Sequence, residues 1–315
     1  MFPLITRTPV ARRSQPHEEA LHSFVEKVRR DDVVVAVILY GSLAYDDVWE
    51  KSDIDILIIT DEEKAANKGY YLLEGDINIH AEVRRRSEFK KAVEADLGGG
   101  WMQSILIRST LLFSKDASIR AYYERVQHLG SRDRDLQLLR AATWVLPSLA
   151  KAEKWLAVKG DVEYSFLWLM GTVNSLATIE VLLHGEVPGR EVIGQALRHN
   201  PTFFRTVYTD FVQQRKDAAR VQAVIDLING YLDQHLYALF RPILDFLRDA
   251  GGVRTATELN EHFAQQAQIE NLSSAYEWLA DKGVLRKVPS PLRLTVKSKV
   301  KVDEAAYDYD EGDVR

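Results

Sequence analysis

The stretch that most constrains this chain is residues 33–60, VVVAVILYGSLAYDDVWEKSDIDILIIT. Two apolar runs rich in β-branched residues, Val33 to Leu39 and Ile54 to Ile59, read as strands buried on both faces of a sheet. Between them Tyr40-Gly41-Ser42 ends the first strand, and Leu43 to Trp49 has the makings of a short helix. Asp53 and Asp55 stand at the head of the second strand. Residues i and i+2 of a strand share a face, so the two carboxylates leave the sheet together. Like charges held side by side repel unless a cation sits between them. The pair therefore predicts a divalent-metal site, and hard oxygen ligands favour Mg²⁺ or Mn²⁺.

The residues around this pair extend the reading. Gly41 permits a tight turn where a phosphate approaches the backbone, and Ser42 opens a helix whose hydroxyl and first amides can hold that phosphate. Downstream, Tyr70 to Leu73 and Ile77 to Val83 read as strands joined by a turn at Glu74-Gly75-Asp76. In the second of these, Asn78, His80 and Glu82 alternate with apolar residues, which makes Glu82 the expected third carboxylate and Asp76, at the turn, the runner-up. His80 shares that polar face, as a structural histidine or as a neighbour of the metal ligands. Arg84-Arg85-Arg86 ends the strand, either to meet a triphosphate or as solvated charge.

Gly41-Ser42, then ten residues, then Asp53-Ile54-Asp55, with Glu82 on a later strand, resembles the DNA polymerase beta-type nucleotidyltransferase superfamily. The resemblance covers roughly residues 20–90. It implies transfer of a nucleoside monophosphate from an NTP to a hydroxyl, with release of pyrophosphate. It also implies two-metal catalysis, in which Asp53 and Asp55 bind both Mg²⁺ (or Mn²⁺) ions and Glu82 binds the catalytic one and helps activate the acceptor. The expected NTP is ATP. The layout, a short α/β domain followed by a helical one, is similar to that of the kanamycin-type aminoglycoside nucleotidyltransferases. There, Ala152-Glu153-Lys154-Trp155 is similar to a stretch whose lysine contacts phosphate, so Lys154 is either that contact or a solvated helix lysine. The base of those enzymes would fall at position 150, which is alanine here, and this leaves Glu82 as the expected base.

The 315 residues are enough for several cores, and a composition of 46% hydrophobic and 28% charged residues is that of a globular protein. A net charge of −5 gives no whole-chain bias toward nucleic acid. The absence of cysteine excludes disulfides, thiolate metal sites and cysteine nucleophiles. No apolar run is read as a membrane span and no signal peptide is evident, so a cytoplasmic protein without a membrane partner is expected. Gly98-Gly99-Gly100 lacks the lysine and serine of a P-loop and reads as a hinge.

Beyond residue 132 helical periodicity dominates, with Asp135 to Val158, Glu163 to His184, Arg190 to Arg198 and Phe211 to Leu247 forming a bundle. After the Ala250-Gly251-Gly252 linker come two helices, Thr255 to Gln266 and Ser273 to Lys282, and a strand pair, Leu285 to Val288 with Leu292 to Val300, in the outline of a winged helix. The stretch 282–301 carries Lys282, Arg286, Lys287, Arg293, Lys297, Lys299 and Lys301 and no acid, so nucleic acid is an expected partner of this basic wing. The predicted class is α+β/α, with a nucleotidyltransferase domain at 1–115, a helical bundle at 116–248, a winged helix at 249–302 and an acidic tail at 303–315. The alternative to an enzyme is a non-catalytic, nucleotide-sensing regulator, or an antitoxin-like partner protein, using the winged helix.

Overall fold

The computed structural model describes residues 15–45, 51–61, 67–96, 101–107, 109–126, 131–189, 191–270 and 272–309. The chain divides into two units, Met1–Leu129 and Gly130–Arg315. In the first, α1 (Gln15–Arg29) precedes β1 (Val34–Tyr40), β2 (Ile54–Thr60), β3 (Lys68–Glu74) and β4 (Ile77–Arg85). These are followed by α2 (Arg86–Asp96), α3 (Trp101–Leu106), β5 (Thr110–Ser114) and α4 (Ala117–Val126). The five strands form one mixed sheet in the order β3-β4-β2-β1-β5. Among these described strands, β2 and β4 run parallel and the other neighbours are antiparallel.

The two apolar runs are the adjacent strands β1 and β2, and their continuity in sequence follows from burial on both faces. On one face Val37, Leu39, Ile54, Ile56, Ile79 and Ala81 pack under Ala20, Phe24 and Val25 of α1. On the other, Ala36, Ile38, Tyr40, Leu57 and Ile59 meet Phe89 and Val93 of α2, Met102 and Ile105 of α3, and Ile119 and Tyr122 of α4. Burying each such aliphatic side chain stabilises the fold by about 1.5–3 kcal/mol. The strand alternation that fills this second face with Leu57 and Ile59 also delivers Asp55 to it, at the edge of the apolar layer.

The second unit begins with α5 (Ser131–Lys154), which Pro147 does not break, and a π-helical turn at Trp155–Lys159. Then come α6 (Val162–Leu183), α7 (Val192–His199), α8 (Pro201–Phe204), a second π-helical turn at Arg205–Thr209, α9 (Asp210–Gln213), α10 (Ala218–Gln234) and α11 (Leu236–Ala250). The single helix expected over 211–247 is thus three, because Asp217 caps α10 and His235 separates α10 from α11. Contrary to the sequence expectation, α6 is long and apolar enough to cross a membrane, and half of that apolar window is buried inside the protein. It also buries Ser165, Thr172 and Glu180. Glu180 accepts a hydrogen bond from the Tyr231 hydroxyl (2.7 Å) and one from Asn200 Nδ2 (3.4 Å). Burial, together with the Glu180 carboxylate, pushes the Tyr231 hydroxyl far above its ordinary pKa, so it stays a donor.

The unit ends with β6 (Arg254–Thr255), α12 (Ala256–Ala267), α13 (Ser273–Asp281), β7 (Arg286–Leu292) and β8 (Val302–Asp308), the strands lying in the order β6-β8-β7. Thr255 and Glu258 form a capping box at α12, and Gly283 at φ +70° follows α13. The hairpin corrects the sequence reading. Its first strand runs through Pro289 and Pro291, which an edge strand tolerates because their missing N–H groups need no ladder partner. Its second strand is not Leu292 to Val300 but Val302–Asp308, so residues 303–308 belong to a sheet rather than to a loose acidic tail. Ala306 and Tyr307 are buried there, which fixes the register. Residues 310–315 lie outside the described residues.

Removing the Tyr231 hydroxyl leaves the buried Glu180 carboxylate short of a donor. Tyr231→Phe is expected to destabilise the protein by about 1–3 kcal/mol. Urea denaturation followed by circular dichroism checks this, and an unchanged midpoint would contradict it.

Candidate functional site

The site is assembled at one end of the β1–β2–β4 strands. β1 ends at Tyr40, and the chain turns at Gly41 with φ +76°, a conformation that side-chain-bearing residues rarely adopt. Ser42–Tyr45 forms a single 3₁₀ turn, with the Ala44 N–H donating to the Gly41 carbonyl at 3.1 Å. This turn is shorter than the expected helix through Trp49; residues 46–50 lie outside the described residues. A Cβ at position 41 would stand 2.1 Å from Asp55 Oδ2. The Asp55 carboxylate therefore lies directly against the Gly41 backbone, beside Ser42. Tyr40 and Asp55 are register partners across the antiparallel β1–β2 pair.

Asp53 precedes β2 by one residue and is exposed, whereas the Asp55 side chain retains 19% exposure. The segment before β2 is pinned by His17 of α1, whose Nε2 is 3.0 Å from the Ser52 carbonyl oxygen. Two residues along a strand separate the carboxylates by about 6.6 Å, where like charges repel by at most about 2.5 kcal/mol at an effective dielectric constant of 20. A bound dication removes that repulsion.

Parallel pairing with β4 places His80 opposite Asp55 and Glu82 opposite Leu57. His80 Nδ1 lies 3.4 Å from Asp55 Oδ1, so it is a neighbour of the carboxylate. Its ring stacks on Tyr71 of β3 (centroids 4.9 Å apart, interplanar angle 7°), and Tyr71 is 87% exposed. Glu82 is about 6.6 Å further along the strand face. Arg84 Nε donates to Glu82 Oε1 at 2.7 Å. The runner-up Asp76 is exposed in the turn before β4, four residues or about 13 Å before His80.

Among the described residues no three of His, Asp or Glu are grouped as a metal site. Asp55, Glu82 and Asp53 all act on the Tyr40 hydroxyl, and Glu82 is bonded to Arg84. The donors nevertheless fit one kind of ion. Mg²⁺ takes one or two carboxylates and completes its shell with water and substrate phosphates. Asp55 against the Gly41 turn, with Asp53 two residues before it, suits that arrangement.

Arg85 contacts Glu88 (3.5 Å) and Arg86 contacts Asp116 (2.8 Å), whereas Arg84 is bonded to Glu82. The signal missed in the sequence is Tyr40. Burial raises its hydroxyl pKa far above the usual value, and Asp55, then Glu82, add to that rise. Its phase with Ala36 and Ile38, directly before Gly41-Ser42, could have revealed it. In the second unit Lys154 is the exposed last residue of α5, next to the π-helical turn. The Glu153 carboxylate accepts from Asn229 Nδ2 at 2.8 Å, and Ala150 lines a cavity of about 350 Å³. Gly98-Gly99-Gly100 lies outside the described residues.

Gly41→Ala combines a left-handed backbone with a collision against Asp55. It is expected to lower stability by about 1–2 kcal/mol or more. Thermal unfolding checks this, and a melting temperature equal to the parent's would contradict it.

Residues 23–118 match the family described as Polymerase beta, Nucleotidyltransferase. No curated protein sequence matches the chain. Among solved structures, a nucleotidyltransferase-like protein from Exiguobacterium sibiricum has a similar fold, with a TM-score of 0.62 at 14% identity over 93% of this chain and 99% of that one. At that identity the likeness speaks for the fold alone. Residues 23–118, the segment that holds Gly41, Ser42, Asp53, Asp55 and Glu82, are thus the part of the chain that matches the polymerase beta nucleotidyltransferase family.

Proposed function

We propose that the protein is a metal-dependent nucleotidyltransferase that moves AMP from ATP to a hydroxyl acceptor and releases pyrophosphate. The observation that carries this reading is the Asp55 carboxylate packed against the Gly41 turn, with the exposed Asp53 one residue before β2. Asp53 and Asp55 would hold Mg²⁺ or Mn²⁺. When bound, the ion supplies charge neutralisation to the triphosphate. The Gly41-Ser42 backbone and the Ser42 hydroxyl bind phosphate oxygens.

In the transfer, the acceptor oxygen bonds to the α-phosphorus, the bond from that phosphorus to the β-phosphate oxygen breaks, and pyrophosphate leaves. Glu82 takes the proton of the acceptor hydroxyl. Arg84, which donates to Glu82 Oε1, exchanges it for a phosphate oxygen when the nucleotide binds, which frees the carboxylate as the substrate arrives. Ala150 offers no second base, and Lys154 is a candidate phosphate contact.

A second reading rests on the C-terminal segment. The order β6, α12, α13, β7, β8 suits a winged helix, and the 293–301 connection holds Arg293, Lys297, Lys299 and Lys301 on exposed positions. Lys282, Arg286 and Lys287 differ, being paired with Asp233, Asp308 and Glu277. The wing connection is thus the proposed contact to nucleic-acid phosphates.

Incubation with α-labelled ATP and Mg²⁺ against small-molecule, RNA and protein hydroxyl acceptors should yield a single labelled product. Asp55→Asn should reduce the rate on the order of 10²–10³-fold or more, as should chelation of the metal; label transfer by Asp55→Asn at the parent rate would contradict the reading. For the wing, replacing Arg293, Lys297, Lys299 and Lys301 with alanine should lower the salt dependence of duplex binding, by about 0.9 in log–log slope for each phosphate no longer neutralised. An unaltered slope would remove this partner.

A further inference from the structure

One edge of the five-stranded sheet is β3, seven residues of sequence KGYYLLE. An open edge offers unpaired N–H and C=O groups to any other strand, and proteins guard such edges with charge, proline, bulges or shortness. At the opposite edge, β5 is five residues long and its pairing with β1 is interrupted by a register shift. β3 carries no such guard. Its register with β4 runs unbroken, it contains no proline, and its charges, Lys68 and Glu74, stand only at its ends. Between them Tyr70 is 40%, Tyr71 87% and Leu73 67% exposed.

The hairpin fixes which backbone groups are open. β3 and β4 are joined by a two-residue turn, Gly75-Asp76, with Gly75 at φ +59°. Such a turn closes on a hydrogen-bonded pair, here Glu74 with Ile77, and hydrogen-bonded pairs recur at every second residue. Leu72 and Tyr70 therefore bond to β4, whereas Gly69, Tyr71 and Leu73 turn their N–H and C=O groups outward. Among the described residues, no backbone group outside the sheet bonds to these three. The Tyr71 and Leu73 side chains share the face of His80, on which Tyr71 stacks, while Lys68, Tyr70, Leu72 and Glu74 lie on the α1 face.

We propose that β3 pairs with β3 of a second copy of this chain, antiparallel about a two-fold axis at Tyr71, so that two five-stranded sheets become one. This pairing goes beyond the proposed function and does not depend on it. In that register Tyr71 faces Tyr71 and Gly69 faces Leu73, all with outward N–H and C=O groups, so the ladder bonds form in phase. On the α1 face Lys68 stands opposite Glu74 and Tyr70 opposite Leu72, and each contact occurs twice, as a two-fold interface requires. Opposite charges at the two ends, with apolar and aromatic residues between them, are the complementarity that lets one strand pair with itself. Glu74 has room for the added donor. Its Oε1 accepts from Ser23 and Lys27, each at 2.6 Å, and its Oε2 from Lys27 at 2.7 Å, so a lone pair of Oε2 is left for Lys68 of the second copy. A register shifted by one residue would set outward groups against inward ones, and a shift of two shortens the ladder.

Sedimentation velocity on the full-length chain, at concentrations up to about 100 µM so that a micromolar dimer is well populated, reads the outcome. The parent is expected to be a dimer. Tyr71→Lys and Tyr71→Glu each set like charges directly opposite across the axis, and each is expected to weaken self-association on the order of 10²-fold or more. Mixed in equal amounts, the two variants set lysine opposite glutamate and are expected to regain the dimer, which also shows both to be folded. Leu73→Pro removes an outward N–H and no bond to β4, so it is expected to weaken the dimer while the hairpin persists. A monomeric parent overturns the proposal, as does a dimer of parental strength in Tyr71→Lys, Tyr71→Glu or Leu73→Pro. Failure of the mixture to dimerise, with both variants keeping the parent's circular dichroism spectrum, overturns it as well.

Discussion

The Asp55 carboxylate occupies the space that any side chain at position 41 would need, and the rest of the site depends on that approach. It requires glycine at the turn, antiparallel pairing of Tyr40 with Asp55, and the phase that puts Leu57 and Ile59 into the core beneath. Shifting β2 by one residue would move Asp55 to the α1 face, away from Gly41, and bury its charge among Val37, Leu39 and Phe24. The hydrophobic layer under α2, α3 and α4 therefore holds the register of the candidate site. Burial supplies the energy, and the approach of the Asp55 carboxylate to a bare backbone turn follows from it.

Much of this was legible in the residues. β1 and β2 announce themselves by continuous apolar runs, and Gly41, Asp53 and Asp55 by their spacing. Glu82 was legible by alternation along β4, but its hydrogen bond from Arg84 was not, because the alternative roles of a strand-end arginine look the same in sequence. His80 shows the same limit. Its place on the polar face was readable, whereas its approach to Asp55 depends on the β2–β4 register, which no local pattern encodes.

The C-terminal hairpin went astray for a physical reason. Two prolines usually argue against a strand, yet β7 lies at a sheet edge where their missing donors cost no ladder bond. Val302–Asp308 then reads as an acidic tail until Tyr307 and Ala306 are seen to be buried. Asp308 pairs with Arg286 and Glu277 with Lys287, so acids from this segment and from α13 offset part of the basic stretch. What is left of it is the exposed 293–301 connection. In α6 the apolar composition serves a helix buried within the unit, and its Glu180 is tolerated because Tyr231 and Asn200 supply donors.

The central claim is that Asp53 and Asp55 bind a nucleoside triphosphate through a divalent ion. Calorimetric titration of ATP into the protein, with and without Mg²⁺, tests it most directly. The account predicts binding that requires Mg²⁺ and is lost in Asp55→Asn, while that variant keeps the parent's circular dichroism spectrum. Binding of equal affinity without the metal, or retained in Asp55→Asn, would contradict it.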